Sequence, residues 1–299
     1  MLTADQIAFY RKNGYLVCKE FFTPADMDSV RRELDVLIER SRSVTSNNEL
    51  FDLEDTHSAE QPQVRRIKHP DRHMKSVGSL LRGERLVGAV SQLLGPNIRM
   101  QMTKLNMKTA GVGSPVEWHQ DWAFVPFTND DLLAVGVMID DVTEENGPLL
   151  VIPGSHKGPI HNHHCEGRFC GAINPAAEGL DVGQAVKLIG PAGSISLHHV
   201  RTVHGSALNN SNKDRRLLLF DLCAADAWPL FVNTTHYKDY DDLVSRMIAG
   251  TQTLTPRMTD VPLRMPLPPQ KDMTSIYETQ RNSRYRSFET AAEAKAKRV

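Results

Sequence analysis

Residues 96–225 alternate short apolar runs with turn residues, and this pattern limits the fold more than any other feature of the chain. The runs include "NIRMQMTKLNMK", "LLAVGVMIDDV", "LLVIPGSH" and "RRLLLFDLCAAD", and they read as strands separated by Gly, Pro and Asn. Amphipathic helical patterns come before residue 95. Helices followed by regularly spaced strands favour helices packed on a β-sandwich or barrel. We therefore predict a mainly β fold with flanking helices.

We predict one domain over residues 1–299, because β-rich domains often reach this length. Its helical N-terminal part spans about 1–95 and its strand core about 96–225. Residues 226–299 are richer in Pro, Arg and polar side chains, and we predict that they form a covering extension.

Two segments of the N-terminal part carry more local predictions. Residues 41–66 are polar and irregular, which predicts a loop. Residues 75–94 show apolar side chains at helical spacing and end at Gly95-Pro96, which predicts one helix.

Composition excludes several kinds of partner. Lys plus Arg is 35 and Asp plus Glu is 36, so the basic surface typical of nucleic-acid binding is not expected. No run approaches the ~20 apolar residues that span a bilayer, so we predict no membrane partner. The four cysteines are too few for a disulfide scaffold and predict reduced thiols and a cytoplasmic location. A small-molecule substrate and a monomer or homodimer are the remaining expectations.

The stretch "EWHQDWAFVPF" contains a candidate metal site. His119 and Asp121 are two residues apart, so on a regular strand both side chains face the same way. His204, in "RTVHGSALNNSNKDRR", is the best candidate for a third ligand, while His198 and His199 are better explained as structural. Two histidines and one carboxylate on one face of a metal leave positions open, as in non-haem iron oxygenases.

A cation and a hydroxyl follow His204 at suitable spacing. Arg215 lies eleven residues later, far enough to return on the next antiparallel strand. Its planar guanidinium can bind a cosubstrate carboxylate through two hydrogen bonds. Ser206 lies two residues after His204 and shares its face if the strand continues.

These motifs together resemble the phytanoyl-CoA dioxygenase family of Fe(II)/2-oxoglutarate oxygenases. The resemblance covers roughly residues 3–225 and is carried by "WHQDWAFVPF", "NGPLLVIPGSHKG" and "HGSALNNSNKDRR". It implies a double-stranded β-helix core, also called a jelly roll or cupin-like fold. It also implies Fe(II) on His119, Asp121 and His204, with 2-oxoglutarate on Arg215 and Ser206 and O₂ as the second cosubstrate.

Further positions follow from the resemblance. Lys68 and Lys104 match positions that contact the cosubstrate in relatives, and Gly136 stands where some relatives have a Trp. Trp122 and Phe124, which follow the metal motif, are candidates for the substrate pocket. His164 is another candidate, because we interpret "HNHHCEGRFC" as a loop over the active site rather than a zinc site. Structural zinc sites usually use separated ligand pairs, which this segment lacks.

The implied activity is oxidation, most simply hydroxylation, of an unactivated C–H bond in a small or medium-sized organic metabolite, with release of succinate and CO₂. Asp121 favours hydroxylation over halogenation, since related halogenases have Ala or Gly at that position. Two alternatives stay open at this point. One is a jelly-roll protein that binds a small ligand, and the other is a zinc-dependent hydrolase that uses the same three ligands.

Overall fold

The structure is a computed structural model that describes residues 1–111, 114–231, 237–269, 275–281, 283–290 and 293. Its helices are α1 (Ala4–Asn13), α2 (Pro24–Ser41), α3 (Lys75–Arg82), α4 (Glu84–Leu94), α5 (Tyr240–Ser245) and α6 (Ile276–Arg281). Its strands are β1 (Tyr15–Cys18), β2 (Phe51–Leu53), β3 (Val64–Lys68), β4 (Ile98–Lys108), β5 (Val116–His119), β6 (Leu132–Met138), β7 (Leu149–Val151), β8 (His164–Cys165), β9 (Arg168–Phe169), β10 (Val186–Leu188), β11 (Ile195–His199), β12 (His204–Ser206), β13 (Arg215–Ala224) and β14 (Met247–Ala249).

Two large antiparallel sheets organise the described residues, and β8 and β9 form a separate two-stranded sheet. The larger sheet has eight strands in the order β1-β11-β6-β13-β4-β3-β2, with β14 paired to β4, and the smaller sheet has the order β10-β7-β12-β5. Side chains of the two sheets meet across a shared cavity, where Lys108 of β4 donates a hydrogen bond to Ser206 of β12. The prediction of a mainly β fold with flanking helices is confirmed.

The two faces of the larger sheet have different environments. In β4, Leu105 and Met107 pack in the main hydrophobic core together with Met27 and Val30 of α2. The alternating residues of the same strand face the cavity instead. Helices therefore cover one face of the sheet and leave the other face for ligands.

The prediction of a loop over residues 41–66 is wrong. Strands β2 and β3 pair with each other, and β3 pairs with β4, so this segment extends the larger sheet. Phe51 and Val64 are buried there, and pairing with a preformed neighbouring strand compensates for the weak apolar pattern of the segment.

The helix predicted over residues 75–94 consists of two helices. Gly83 interrupts it with an extended backbone, φ −67° and ψ 140°, and serves as the N-cap of α4. The free energy cost of placing Gly inside a helix favours a break at this residue.

The C-terminal extension lies against the open side of the cavity where the structure describes it. The Gln280 side chain accepts a hydrogen bond from the Glu117 amide at 2.9 Å and donates one to the Gly171 carbonyl at 2.7 Å. Glu278 and Arg65 form a buried ion pair at 2.9 Å. Much of the predicted covering extension, including 270–274 and 294–299, lies outside the described residues.

No helix within the described ranges is both long and apolar enough to cross a membrane.

Candidate active site

The three predicted metal ligands come together at the edge of the smaller sheet. His119 is the last residue of β5, His204 is the first residue of β12, and the two are direct partners in the sheet. Asp121 begins a 3₁₀ turn, Asp121–Ala123, that follows the strand. One ligand atom from each of the three side chains lies within 4.8 Å of the others. The turn, rather than the strand alternation that we assumed, brings Asp121 to the histidines.

Backbone carbonyls fix both imidazole rings. The Nδ1 atom of His119 lies 2.8 Å from the Glu117 carbonyl, and that of His204 lies 2.9 Å from the Thr202 carbonyl. In each case the carbonyl belongs to the residue two positions earlier, so the Nδ1–H donates and Nε2 stays free. The two Nε2 atoms lie 3.6 and 3.8 Å from the Asp121 carboxylate. Histidine ligands of metals are commonly oriented in this way.

The charges around these ligands suit a divalent cation. Burial lowers the pKa of His204 well below its usual value, which keeps the ring neutral and able to coordinate. Burial alone raises the pKa of Asp121, but its interactions with His204, His119, His198 and Lys104 together lower it well below its usual value. A neutral imidazole pair and an ionised carboxylate are the donor set that Fe(II) uses in facial triads.

The competing histidines occupy supporting positions. The Nε2 atom of His198 lies 3.3 Å from Oδ2 of Asp121, so His198 contacts a ligand. His199 is directed toward Asp130, 3.8 Å away. This arrangement agrees with the choice of His204 as the third ligand.

A second cluster of polar groups lines the same cavity at a distance from the three predicted metal ligands. Arg215 and Lys108 are direct partners on β13 and β4. Nζ of Lys108 donates to Oγ of Ser206 at 2.9 Å, to its carbonyl at 3.2 Å and to the Ala207 carbonyl. Ser206 is two residues from His204 on β12, about 7 Å along the strand.

Arg215 is a cation with unused hydrogen-bonding capacity. Its side chain donates to the Gly147 carbonyl at 2.6 Å, but its buried Nε has no hydrogen-bond partner among the residues that the structure describes. Burial lowers the pKa of Arg215 to about 10, so the guanidinium is charged at neutral pH. A buried charge without a counter-ion is costly, which favours a bound anion here. The carboxylate of a five-carbon keto acid fits this requirement.

Lys108 was missed by our sequence analysis, although the sequence held a signal for it. Lys104, Asn106 and Lys108 occur at every second position of β4 and all three line the cavity. Polar side chains at this period, with the apolar Leu105 and Met107 between them, indicate that one face of this part of the strand is polar. Burial, followed by the charge of Arg215, lowers the pKa of Lys108 well below its usual value.

The other two predicted cosubstrate lysines have carboxylate partners. Lys68 lies at the cavity wall with Nζ 2.8 Å from Oδ1 of Asp52. Nζ of Lys104 lies 3.1 Å from Oδ2 of Asp221. Lys104 is four residues from Lys108, about 13 Å along the strand, so both lysines cannot hold one carboxylate.

The predicted substrate-pocket residues divide into two groups. Phe124 lines the cavity and contacts the His119 ring edge to face, with centroids 5.9 Å apart. Trp122 lies in the hydrophobic core behind the cavity wall, because the 3₁₀ turn directs its ring inward, and its Nε1 donates to the Pro262 carbonyl. His164 lies in the β8–β9 hairpin with Nε2 3.0 Å from the Leu267 carbonyl, away from the main cavity. The predictions for Trp122 and His164 are therefore corrected.

Gly136 leaves no room for the side chain that some relatives carry there. A Cβ at this position would lie 2.6 Å from Oγ of Ser196 on the adjacent strand β11. The contact proposed for that position in relatives has no counterpart at Gly136.

Relatives of known function identify the chemistry of this site. The profile of the family "Phytanoyl-CoA dioxygenase (PhyH)" matches residues 10–217. A probable alpha-ketoglutarate-dependent hypophosphite dioxygenase of Stutzerimonas stutzeri is 38% identical over 93% of this chain and 97% of its own length. An L-proline trans-4-hydroxylase of Streptomyces griseoviridis is 34% identical over 47% of this chain and 59% of its own length.

Solved structures show the same fold. The crystal structure of EctD from S. alaskensis with bound Fe superposes with a TM-score of 0.66 at 20% identity, covering 87% of this chain and 88% of that one. The predicted double-stranded β-helix core is thereby confirmed. The cavity between the sheets, about 660 Å³, is the space in which the ligands of such a fold bind.

Proposed function

This chain belongs to the phytanoyl-CoA dioxygenase family and is a 2-oxoglutarate-dependent dioxygenase that uses Fe(II), and we propose that His119, Asp121 and His204 bind the iron. The observation that carries this assignment is the convergence of two Nε2 atoms and one carboxylate. Both rings are held by backbone carbonyls through Nδ1, which leaves Nε2 for the metal.

The cosubstrate binds beside the iron with its distal carboxylate at Arg215. Ser206 donates its hydroxyl proton to that carboxylate, and Lys108 holds Ser206 in place through the hydrogen bond from Nζ to Oγ at 2.9 Å. Leu217 and Leu219 line the wall between Arg215 and the metal, where they contact the methylene groups of the keto acid. Lys68 stays a prediction as a further cosubstrate contact.

Fe(II), 2-oxoglutarate and O₂ together supply the oxidising power of the reaction and yield succinate and CO₂. The protein holds and orients the reactants for this step. His119 and His204 keep their rings fixed through the backbone, and His198 holds one oxygen of Asp121. Phe124 packs against His119 and keeps water from that side of the iron.

The substrate is a small molecule, and we propose that it belongs to the same range of small substrates for which the relatives of this chain are named. These relatives are named for hypophosphite and for L-proline. Hypophosphite has a P–H bond and proline has aliphatic C–H bonds, and a strong oxidant bound at one metal centre can attack either kind of bond. A small or medium-sized molecule oxidised at such a bond is the proposed substrate. No comparison favours a ligand-binding protein without turnover or a zinc hydrolase.

The four cysteines are free and buried in the structure, which supports the proposal of a reducing, cytoplasmic location. A monomer or homodimer stays the proposed assembly.

An anaerobic titration with Fe(II) and 2-oxoglutarate tests the proposed ligand set. We expect the wild-type protein to develop the visible metal-to-ligand charge-transfer band, and Asp121→Asn and His204→Ala to lose it. Asp131→Asn is the matched control, because Asp131 pairs with Arg257 at the surface. A band of normal intensity in His204→Ala would mean that another residue is the third ligand.

A further inference from the structure

The cavity contains more positive charge than the cosubstrate accounts for. Its lining includes five basic side chains and only two carboxylates, Asp121 and Asp221; the basic residues are Arg66, Lys68, Lys104, Lys108 and Arg215. Lys108 is left out of the charge balance, because burial lowers its pKa well below the usual value. Asp52 behind the wall neutralises part of this charge by pairing with Arg66 and Lys68. Fe(II) adds two further positive charges, against the two negative charges of 2-oxoglutarate. The balance favours a second anion in the cavity.

Among the basic residues of the cavity, Lys104 has the position from which it can bind this second anion. The strand register sets Asp221 opposite Ala134, and Ala134 opposite His198. These residues form one row across the larger sheet, and His198 contacts Asp121. Lys104 reaches this row through its ion pair with Asp221, and its charge contributes to the lowered pKa of Asp121. Lys104 therefore lies at the metal end of the cavity, far from Arg215.

The environment of Lys104 leaves donors available to a ligand. Its ammonium has three N–H groups, and Asp221 is the acceptor found for it among the described residues. Its side chain is 19% exposed, and it lines the cavity. Burial alone would lower the pKa of Lys104, but the carboxylates of Asp221 and Asp121 have the larger combined effect. The pKa is therefore raised above its usual value, and the ammonium stays charged.

We propose that the substrate of this dioxygenase is a small oxyanion, and that Lys104, held in position by Asp221, binds its anionic group beside the iron. This inference rests on the proposed function and assigns Lys104 to the substrate instead of the cosubstrate. Apolar side chains, including Phe124, Val125 and Phe127, line the cavity as well. An inorganic oxyanion and an organic anion with a short apolar tail both match this chemistry, and the test distinguishes them.

The first arm measures succinate release and product formation with a panel of compounds. Hypophosphite represents inorganic oxyanions, ethylphosphonate and butyrate represent organic anions, and L-proline and 1-butanol represent zwitterionic and neutral compounds. Each compound is also titrated anaerobically into the complex of enzyme, Fe(II) and 2-oxoglutarate by calorimetry. We expect at least one anion to bind and be oxidised. Failure of every anion to bind, or turnover of L-proline or 1-butanol alone, overturns the proposal.

The second arm tests Lys104 itself. In Lys104→Met we expect the Kd and KM of the productive anion to rise at least tenfold, with Lys104→Arg recovering part of this loss. The Kd of 2-oxoglutarate, read from the charge-transfer band, should change less than twofold. Lys187→Met is the matched control, because Lys187 also pairs with a carboxylate, Glu144 at 2.8 Å, but on the surface.

The outcomes separate the two proposals. If Lys104→Met weakens 2-oxoglutarate and leaves the anion unaffected, Lys104 belongs to the cosubstrate site and the inference is wrong. If the wild-type protein gives no charge-transfer band, the proposed iron site has failed, and the inference fails with it. A normal band together with unchanged anion affinity in Lys104→Met overturns the inference alone.

Discussion

The Nε2 atom of His198 lies 3.3 Å from Oδ2 of Asp121, the oxygen next to the one that approaches His119. The donated hydrogen bond engages Oδ2, which also lies 3.8 Å from Nε2 of His204, and it leaves Oδ1 directed toward His119. Outer contacts of this kind orient a metal ligand and tune its affinity.

Replacing His198 should therefore weaken iron binding without removing a ligand. We expect His198→Leu to lower Fe(II) affinity about 10- to 100-fold, since outer-shell partners typically contribute that much. His198→Gln keeps an N–H donor and should recover part of the affinity. Titration of the charge-transfer band with Fe(II) gives both values. Equal affinities in wild type and His198→Leu would show that Asp121 needs no such support.

Lys108 should govern cosubstrate affinity. Lys108→Met removes the side-chain nitrogen that donates to Oγ of Ser206 and to the Ala207 carbonyl beside Arg215. We expect the KM for 2-oxoglutarate to rise about tenfold, equivalent to about 1.4 kcal/mol, while kcat changes less. Steady-state kinetics at varied 2-oxoglutarate measures this, with Lys187→Met as control. A fall in kcat at unchanged KM would contradict the role.

Gly136 is predicted to tolerate no side chain while Ser196 faces it. Gly136→Ala should lower the free energy of unfolding by about 1–3 kcal/mol, because its Cβ would meet Oγ of Ser196. Ser196→Ala removes that oxygen, so the double variant should recover most of the loss. Urea unfolding of all four proteins in the cycle measures the coupling. If the losses of unfolding free energy in the two single variants simply add in the double variant, the contact with Ser196 is not the cause of the destabilisation.

The C-terminal helix should depend on the ion pair between Arg65 and Glu278. Both side chains are nearly buried, at 5% and 11% exposure, so removing the charge of Glu278 takes the carboxylate away from a buried guanidinium. Glu278 itself also pairs with Arg281 at 3.3 Å. We expect Glu278→Gln to cost about 3 kcal/mol of unfolding free energy. Arg65→Met combined with Glu278→Leu should be more stable than either single variant. Since Tyr277 of α6 lines the cavity, the KM for 2-oxoglutarate should rise in Glu278→Gln.

His163 should make stability depend on acidity. Burial lowers the pKa of His163 to about 3 from its usual 6.5, and its Nε2 accepts a hydrogen bond from the Gln120 amide. Between these pH values the unfolded chain binds a proton that the folded chain does not, so stability falls as pH falls from 6.5 toward 3. The slope is up to about 1.4 kcal/mol per pH unit.

The measurement is the unfolding free energy from pH 7 to pH 4. His163→Gln should flatten the curve in this window, whereas His73→Gln, at an exposed position, should leave it as in wild type. An unchanged slope in His163→Gln would assign the acid sensitivity to other groups.

Local residue patterns determined much of this site. The spacing of His119 and Asp121, the histidine followed by Gly-Ser, and the arginine eleven residues later predict the residues that we propose as metal ligands and as the cosubstrate cation. These features are readable because ligand chemistry restricts residue type and because each lies on one short strand or turn.

Contacts between segments that are distant in the chain could not be predicted from local residue patterns. Strands β2 and β3 have weak apolar patterns and exist because β4 offers them an edge. The inward turn of Trp122 depends on the backbone after β5 and on the Pro262 carbonyl, 140 residues later.

The sequence by itself determined the family, the mainly β fold and the residues that we propose as metal ligands, because these depend on residue type and short-range periodicity. Only the tertiary structure decided that Lys108 lies beside Arg215 while Lys104 lies beside Asp221 at the metal end. Both lysines lie on the same face of β4, and nothing in the local sequence distinguishes their roles. What separates them is the packing of the second sheet, which sets Ser206 against one lysine and leaves the other open to the cavity.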